Sequence, residues 1–190
     1  MLYYKAYDRT RAYEYAKKWA FDRNPLFFDY TGIGGNCTNF VSQALYAGSC
    51  VMNFTPIYGW YFLSDSRRTA SWTGVEFFYE FIVNNRGAGP FGREVGGDEL
   101  EVGDVIQLGR ETSGYYHTLL VSGFSENTYL VAAQSDDAFD RPLDSYNYDF
   151  ARFIHIDAVR IELPDAADCF EGVYDGVAII PSAVTVPQGV

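Results

Sequence analysis

Histidine, cysteine and positive charge are all scarce in this sequence. Its 190 residues include 2 His, 3 Cys, and 14 Lys or Arg against 25 Asp or Glu, which gives a formal net charge of -11. Two histidines are too few for a three-histidine catalytic zinc site, and we expect no metal and no other cofactor. The acidic balance argues against nucleic acid or an anionic membrane surface as the main partner. It suits an uncharged, zwitterionic or cationic substrate.

The three cysteines, Cys37, Cys50 and Cys169, are odd in number and show no CxxC spacing. This arrangement predicts neither a disulfide framework nor a four-ligand zinc site. At least one thiol is expected to be free, because disulfide bonds use cysteines in pairs.

Other common signals are also missing. No basic start followed by an apolar run opens the chain, and no stretch of about 18 apolar residues occurs. We therefore expect neither a signal peptide nor membrane insertion. The sequence also lacks the Gly-x-Ser-x-Gly turn of serine hydrolases, a glycine-rich phosphate loop with a lysine, and a dinucleotide-binding fingerprint. Serine-hydrolase and nucleotide chemistry are therefore poorly supported.

The composition is that of a folded protein, with 48% hydrophobic and 18% aromatic residues. The most informative run is Gly-Gly-Asn-Cys-Thr-Asn-Phe-Val-Ser-Gln at residues 34–43. Its glycines and Asn36 indicate a loop that ends in a helix N-cap, and apolar residues then recur at helical spacing as far as Gly48. Cys37 would lie in the first helical turn, where free N–H groups and the helix dipole favour the thiolate.

Cys37 is therefore a candidate nucleophile. The alternative is a small apolar residue in a core helix, because free cysteine is among the most buried residue types.

Helices are predicted first along the chain and strands second. Asp8 can cap a helix that ends before Pro25, and another helix is predicted within residues 71–85. A turn-rich connector follows at residues 87–97. The predicted strands are Val105 to Leu108, Thr118 to Val121, Tyr129 to Ala133, and Phe153 to Ile156 with an extension toward Ile161. This order predicts an α+β fold with a mainly antiparallel sheet.

Two stretches lie outside these elements. Residues 49–71 are irregular and rich in aromatics, including Tyr58, Trp60 and Tyr61. They are a candidate wall of a substrate cleft, and the alternative is an aromatic satellite core. The tail at residues 163–190 is expected to form an edge strand and a loose terminus, so the domain is placed at residues 1–162.

A cysteine nucleophile needs an imidazole to take its proton and a polar group to orient that imidazole. His117 begins a predicted strand, and a hairpin turn centred on residues 125 and 126 would place Gln134 opposite it. A slip of one residue would bring Ala133 or Ser135 there instead. Gln134 could accept from one ring nitrogen and leave the other to face the thiolate.

Other titratable residues fit less well. Asp136 and Asp137 are alternative groups for orienting His117. His155 lies among apolar strand residues and is expected to be structural. Pairs of carboxylates are common in so acidic a chain, but nothing in the sequence singles out one pair for glycosidase chemistry.

Together these residues resemble the putative amidase domain family common in spore-forming bacteria. The likeness covers residues 7–161. It lies in residues 8–19, in Gly-Asn-Cys-Thr-Asn-Phe-Val-Ser-Gln at 35–43, in Trp-Thr-Gly-Val-Glu-Phe-Phe at 72–78, in Leu-Glu-Val-Gly-Asp-Val-Ile-Gln-Leu at 100–108, in His117 with its strand, and in Arg-Phe-Ile-His-Ile at 152–156. The family is a branch of the papain-like cysteine hydrolases, which include the NlpC-type and CHAP cell-wall peptidases.

The resemblance implies a papain-like fold, in which N-terminal helices carrying the cysteine pack on an antiparallel sheet or half-barrel carrying the histidine. Cys37 would be the nucleophile and His117 the general base, and Gln134 lies where the family places its third polar residue. Family members often have Asp before the cysteine. Asn36 stands there in this chain, and either residue can cap a helix.

The implied activity is that of a cysteine amidase or peptidase that cuts an amide bond in a peptide or peptidoglycan-like substrate. Tyr30 and Asn24 are candidates for the second oxyanion donor, and Tyr30 and Trp60 are expected to contact the substrate. One alternative is a catalytically silent module that binds cell-wall glycan or peptide in the same groove. Another is an acidic structural protein in which Cys37 is buried and inert.

Overall fold

The computed structural model describes residues 1–163 and 167–180, and in these residues five α-helices accompany a seven-stranded sheet and a separate two-stranded hairpin. The helices are α1 (Arg9–Trp19), α2 (Cys37–Ser49), α3 (Ala70–Thr73), α4 (Val75–Asn84) and α5 (Phe170–Tyr174). The strands are β1 (Tyr3–Lys5), β2 (Phe62–Ser64), β3 (Arg67–Arg68), β4 (Gly89–Val95), β5 (Val105–Arg110), β6 (Gly114–Phe124), β7 (Tyr129–Ala133), β8 (Ala138–Pro142) and β9 (Phe150–Ile161). None of the helices described is long and apolar enough to cross a membrane.

The large sheet is antiparallel at each described pairing. Its strand order is β1, β9, β5, β6, β7, β8, and β4 pairs with the other edge of β9. Phe153 shows the arrangement, because it faces Ile106 of β5 on one side and Val95 of β4 on the other. Helices followed by an antiparallel sheet agree with the predicted α+β class.

Alternate side chains of the sheet pack into two apolar layers. Val105, Leu120 and Ile154 belong to the layer shared with the α-helices, whereas Ile106 and Leu119 belong to a second cluster that contains no residue of an α-helix. Because both faces of the central strands are covered, β6 is apolar at successive positions instead of alternate ones.

Helix α2 lies at the centre, and each of its residues from Cys37 to Ser49 is buried. Its polar side chains accept hydrogen bonds from buried aromatic residues, whose N–H and O–H groups need partners away from water. These pairs are Trp72 with Asn39 (2.9 Å), Trp60 with Ser42 (3.1 Å) and Tyr15 with Gln43 (2.7 Å). Most polar residues of the Cys-Thr-Asn-Phe-Val-Ser-Gln run therefore hold the core together.

The predicted stop of this helix at Gly48 is wrong. The helix continues to Ser49, and Cys50 takes the left-handed conformation that ends it, with φ of 55°. A Cβ atom at Gly48 would lie 2.6 Å from the ring of Tyr7. The glycine is there because the segment before α1 packs directly against the helix.

Two expectations for residues 71–97, a third helix and the connector after it, also need correction. The predicted third helix is divided into α3 and α4 at Gly74, where the backbone is extended. The predicted turn-rich connector contains strand β4, in which a Cβ at Gly92 would lie 2.1 Å from the carbonyl oxygen of His155. Gly92 thus permits close packing of two strands and is not a turn residue.

A disulfide bond joins Cys50 to Cys169, so the expectation of no disulfide framework is corrected. Their Cα atoms are 5.3 Å apart, although 119 positions separate them in the sequence. Spacing alone could not reveal this pair, because only the fold brings the end of α2 to the start of α5. Cys37 is free, in agreement with the prediction of at least one free thiol.

The described part of the tail forms α5, and the predicted edge strand is absent from residues 167–180. This segment packs on the helices: the Trp19 indole donates to the carbonyl oxygen of Tyr174 (3.0 Å), and the Tyr46 hydroxyl donates to that of Ile179 (2.6 Å). The predicted loose terminus at residues 181–190, and residues 164–166, lie outside the described residues.

Candidate active site

Cys37 and His117 line the same cleft, which has a volume of about 520 Å³. The cleft opens between the N-terminus of α2, one end of β6 and the loops on either side of β8. Each of the two residues is only 8% exposed. The cleft is lined by Gly34, Gly35, Cys37, Arg110, Tyr116, His117, Ser135, Asp136, Arg141, Ser145, Tyr146 and Asn147.

A buried contact beside these two residues joins α2 to β6. The hydroxyls of Thr38 and Thr118 are 2.9 Å apart and hydrogen-bonded, and neither threonine has exposed surface. Thr38 follows Cys37 and Thr118 follows His117. The same contact therefore positions the thiol relative to the imidazole.

The N-terminus of α2 is not capped by a side chain. Asn36 occupies the N-cap position, but its Oδ1 accepts from the N–H of Tyr30 (3.2 Å) and from the Asn39 side chain (2.8 Å). Asn36 is therefore the N-cap residue, as predicted, but its side chain does not bond to the first-turn N–H groups. The first-turn N–H groups, including that of Cys37, have no partner within the helix and can bind an anion or a developing oxyanion.

The loop before the helix approaches the cleft through two glycines. Gly34 and Gly35 both line the cleft and have φ of +132° and +98°. Other residues rarely adopt these angles. At this edge of the cleft, next to Cys37, these two backbone positions therefore carry no side chains.

The His117 imidazole is largely buried. Burial lowers its pKa to about 4, with the Arg141 guanidinium acting in the same direction and the Asp136 carboxylate opposing it. Its ring centroid is 6.1 Å from that of Tyr116 and 5.8 Å from that of Tyr146. Neither ring nitrogen has a hydrogen-bond partner among the residues described. At neutral pH His117 is thus an uncharged imidazole that can accept a proton.

The predicted pairing of His117 with Gln134 is not found. The β6–β7 turn is centred on residues 126 and 127, and a bulge at Ser122 then shifts the register, so that Leu120 faces Ala132. Continued at that register, the ladder would bring Ser135 opposite His117, which is one of the two slips that the sequence left open. The later turn and the bulge together shift the position opposite His117 by one residue, from Gln134 to Ser135.

Gln134 has other partners. Its Nε2 donates to the carbonyl oxygens of Trp19 (2.7 Å) and Asp22 (2.8 Å), and its Oε1 accepts from Asn36. Gln134 is 1% exposed, so these bonds anchor the loop after α1 to the start of α2. Gln134 therefore stabilises the start of α2, which carries Cys37, and does not orient the imidazole of His117.

The two alternative orienting carboxylates differ. Asp137 forms an ion pair with Arg23 (3.0 Å) outside the cleft lining. Asp136 lines the cleft and forms an ion pair with Arg141. Asp136 therefore acts on His117 through its charge and not through a hydrogen bond.

The candidate second oxyanion donors are engaged elsewhere. The Tyr30 N–H donates to Asn36, and its hydroxyl donates to Asp65 (2.8 Å) while accepting from Arg68 (2.5 Å). The Asn24 amide donates to the Tyr15 hydroxyl (2.9 Å) and to a backbone carbonyl oxygen (2.8 Å). Neither residue lines the cleft.

The expectation that Trp60 contacts substrate is contradicted by its burial. Trp60 has no exposed surface, and its ring centroid lies 4.6 Å from that of Trp72 and 5.9 Å from that of Phe81. The aromatic stretch is divided, because Ile57 and Tyr58 are exposed and line a separate cavity of about 500 Å³ with Phe77 and other residues.

His155 belongs to a separate polar cluster. Its Nδ1 is 2.7 Å from Asp104 Oδ2, and Arg9 donates to the other oxygen of this fully buried carboxylate (2.6 Å). This cluster ties α1 to β5 and β9 and does not line the cleft, as expected for a structural histidine. In the described parts of the chain, no group of three or more His, Cys, Asp or Glu residues is arranged to hold a metal ion.

Sequence reasoning missed six residues of the cleft: Arg110, Tyr116, Arg141, Ser145, Tyr146 and Asn147. Only Tyr116 had a sequence clue, because it directly precedes His117. The others come from the end of β5, from β8 and from the turn after it. No single motif could have grouped them.

The fold and the cleft define an α+β protein in which a helix N-terminal cysteine and a strand histidine line the same cleft. The chain belongs to the family described as "Putative amidase domain", whose model matches residues 6–156. That description indicates hydrolysis of an amide bond.

A curated relative is the "Uncharacterized protein YhbB" of Bacillus subtilis (strain 168), which is 35% identical over 136 residues. The match covers 70% of this chain and 42% of the relative, so the chain spans less than half of that protein's length. No solved structure matched the chain.

Proposed function

We propose that the protein is a cysteine amidohydrolase that cleaves a peptide-type amide bond with Cys37 as nucleophile and His117 as general base. The observation that carries this proposal is the shared cleft: a free cysteine at an uncapped helix N-terminus lies with a buried, uncharged imidazole. A papain-like arrangement of helix and sheet is part of the same proposal.

In the first half of the reaction, the Cys37 sulfur attacks the amide carbonyl carbon as its proton passes to His117. The carbonyl oxygen becomes negatively charged, and the Cys37 N–H at the helix N-terminus stabilises it. The C–N bond then breaks, and His117 returns the proton to the leaving amine. The enzyme is left as a thioester with the acyl half of the substrate.

In the second half, a water molecule attacks the thioester while His117 takes its proton. The C–S bond breaks, a carboxylic acid leaves, and the proton returns to the cysteine sulfur. The net reaction adds one water to the amide and gives an acid and an amine.

We propose a peptide of the cell-wall type as the substrate. The Cys-Thr-Asn-Phe-Val-Ser-Gln run resembles the putative amidase domain family, and the wider group of papain-like hydrolases to which that family is assigned includes cell-wall peptidases, which supports this choice. The cleft also supports it, because polar groups and the rings of Tyr116 and Tyr146 lie beside the cysteine.

The test is hydrolysis of purified peptidoglycan and of synthetic stem peptides, followed by mass spectrometry of the products. Wild-type protein should release an amine and an acid, whereas Cys37→Ala and His117→Gln should lose at least about 100-fold in rate. His155→Gln is the matched control, since it removes the other imidazole outside the cleft. Product formed by Cys37→Ala at the wild-type rate would overturn the proposal.

A second candidate is a binding module for cell-wall glycan or peptide, favoured by the exposed Tyr58 (81%) and Phe77 (62%) beside the separate cavity. Aromatic faces of this kind can stack on sugar rings. If this function holds, Tyr58→Ala should weaken sedimentation with peptidoglycan while Cys37→Ala leaves it unchanged.

A further inference from the structure

The cleft carries positive charge although the whole chain is acidic. The chain has 14 Lys and Arg against 25 Asp and Glu. The charged side chains that line the cleft are Arg110, Arg141 and Asp136. The net charge of -11 therefore does not describe the surface that a substrate meets.

Arg141 already has partners for its guanidinium. It forms an ion pair with Asp136, its Nε donates to Ser145 (2.9 Å), and its Cζ atom lies 4.0 Å from the ring centroid of Tyr146. This arginine completes the wall of the cleft, and its charge is balanced there.

Arg110 has fewer and weaker partners for its guanidinium. It forms no ion pair with a residue that the structure describes, and the one hydrogen bond it donates is a long contact of 3.4 Å to the carbonyl oxygen of Asn147. Its Cζ atom is 5.2 Å from the Tyr116 ring centroid, and this ring lies next to His117. A guanidinium has five N–H donors, so most of those on Arg110 remain available at the cleft.

We propose that Arg110 binds a carboxylate of the substrate while the scissile amide lies at Cys37. Guanidinium and carboxylate match in shape and can form two parallel hydrogen bonds. A single unbalanced arginine, with Asp136 on the same cleft, suits a monoanion better than a phosphate dianion. This inference rests on the proposed function, and it gives the substrate class as amides that carry a nearby carboxylate.

The first test uses Cys37 itself as the reporter. Iodoacetate and iodoacetamide alkylate the same sulfur, but only iodoacetate carries a carboxylate. Because Cys50 and Cys169 are bonded to each other, Cys37 is the free thiol that reacts without reductant. The ratio of the two rate constants removes the intrinsic reactivity of the thiol from the comparison.

We expect Arg110→Gln to lower the ratio of iodoacetate to iodoacetamide rates by roughly twofold to fivefold, as for loss of one charged partner at an exposed site. Lys17→Gln is the control, because it removes one positive charge from an exposed position on α1 that does not line the cleft. An equal ratio in wild type and Arg110→Gln would overturn the inference, while the iodoacetamide reaction would still support the proposed nucleophile.

The second test does not depend on the thiol. N-acetylglycine and N-acetylglycinamide differ only in the carboxylate, and each is titrated into Cys37→Ala protein while the Arg110 side-chain N–H resonance is followed by NMR. N-acetylglycine should shift this resonance at concentrations at least about threefold lower than the amide. Equal responses overturn the inference. If the response is specific for the carboxylate but Cys37 of the wild-type protein does not react with iodoacetamide in the first test, the anion site stands and the hydrolase proposal is overturned.

Discussion

The hydroxyls of Thr38 and Thr118 meet at 2.9 Å, and each threonine directly follows one of the two proposed reacting residues. The contact continues into the sheet, because the Gln107 side chain donates to the Thr118 hydroxyl (3.1 Å) and accepts from Arg152 (2.7 Å). Helix α2 is thereby joined to β6, β5 and β9 through polar contacts at the level of the cleft. This chain of hydrogen bonds holds the residues that directly follow Cys37 and His117 against each other.

We expect Thr118→Val to destabilise the protein by about 1 to 3 kcal/mol, because it keeps the shape of the side chain but leaves Thr38 and Gln107 with an unpaired polar group. Urea unfolding measures this change. Hydrolysis should also slow, since the helix N-terminus loses its attachment beside the imidazole.

A double-mutant cycle isolates the contact itself. Thr38→Val combined with Thr118→Val should be less destabilising than the sum of the single changes, by at least about 0.5 kcal/mol. Additive effects would mean that the two hydroxyls contribute independently and that the contact does not couple helix to strand.

The low pKa of His117 predicts a specific loss of stability in acid. The folded value is about 4 and the ordinary value is 6.5, so the unfolded chain binds more protons between these two pH values. Stability contributed by His117 is therefore present at neutral pH and is lost as the pH falls from about 6.5 to 4. The expected loss from this residue is about 3 kcal/mol.

Urea unfolding at pH 7, 5.5 and 4 measures this loss. His117→Asn cannot titrate in this range, so its stability should fall less than that of wild type, while the carboxylates contribute equally to both proteins. Parallel curves for the two proteins would show that the imidazole is not held in its neutral form by burial.

Much of the architecture could be predicted from local patterns. The Asp8 cap, the helix beginning at Cys37 and the strand around Thr118 each follow from spacing within about a dozen residues, and the structure has them. The pairing of Cys37 with His117 rests on the chemistry of cysteine nucleophiles and on the family resemblance, and both residues line one cleft in the structure.

The remaining errors come from contacts that the local sequence does not record. A turn centre one residue later and a bulge at Ser122 changed the partner of His117, and a bond across 119 positions joined Cys50 to Cys169. The aromatic, irregular stretch at residues 49–71 predicts that Trp60 contacts substrate. The burial of Trp60 depends on Trp72 and Phe81, which come from other segments.

Gln134 provides a test that separates the predicted role from the observed contacts. Gln134→Leu should destabilise the protein by about 2 kcal/mol, because it leaves buried polar groups of Asn36 and of the loop after α1 unpaired. The pKa of His117, followed by NMR of its ring protons, should stay near 4. A clear shift in that titration would instead show that Gln134 interacts with the imidazole, as the sequence first predicted.

The disulfide between Cys50 and Cys169 should be a main contributor to stability, because it closes a loop of more than one hundred residues and attaches α5 to the end of α2. Cys50→Ser with Cys169→Ser is expected to lower the free energy of unfolding by about 2 to 5 kcal/mol, chiefly by giving the unfolded chain more freedom. Urea unfolding without reductant measures the change. Cys37→Ser keeps the disulfide and is the matched cysteine control, with a smaller expected effect. If the double variant were within about 1 kcal/mol of wild type, α5 would be held by its packing alone, through contacts such as that of Trp19 with Tyr174.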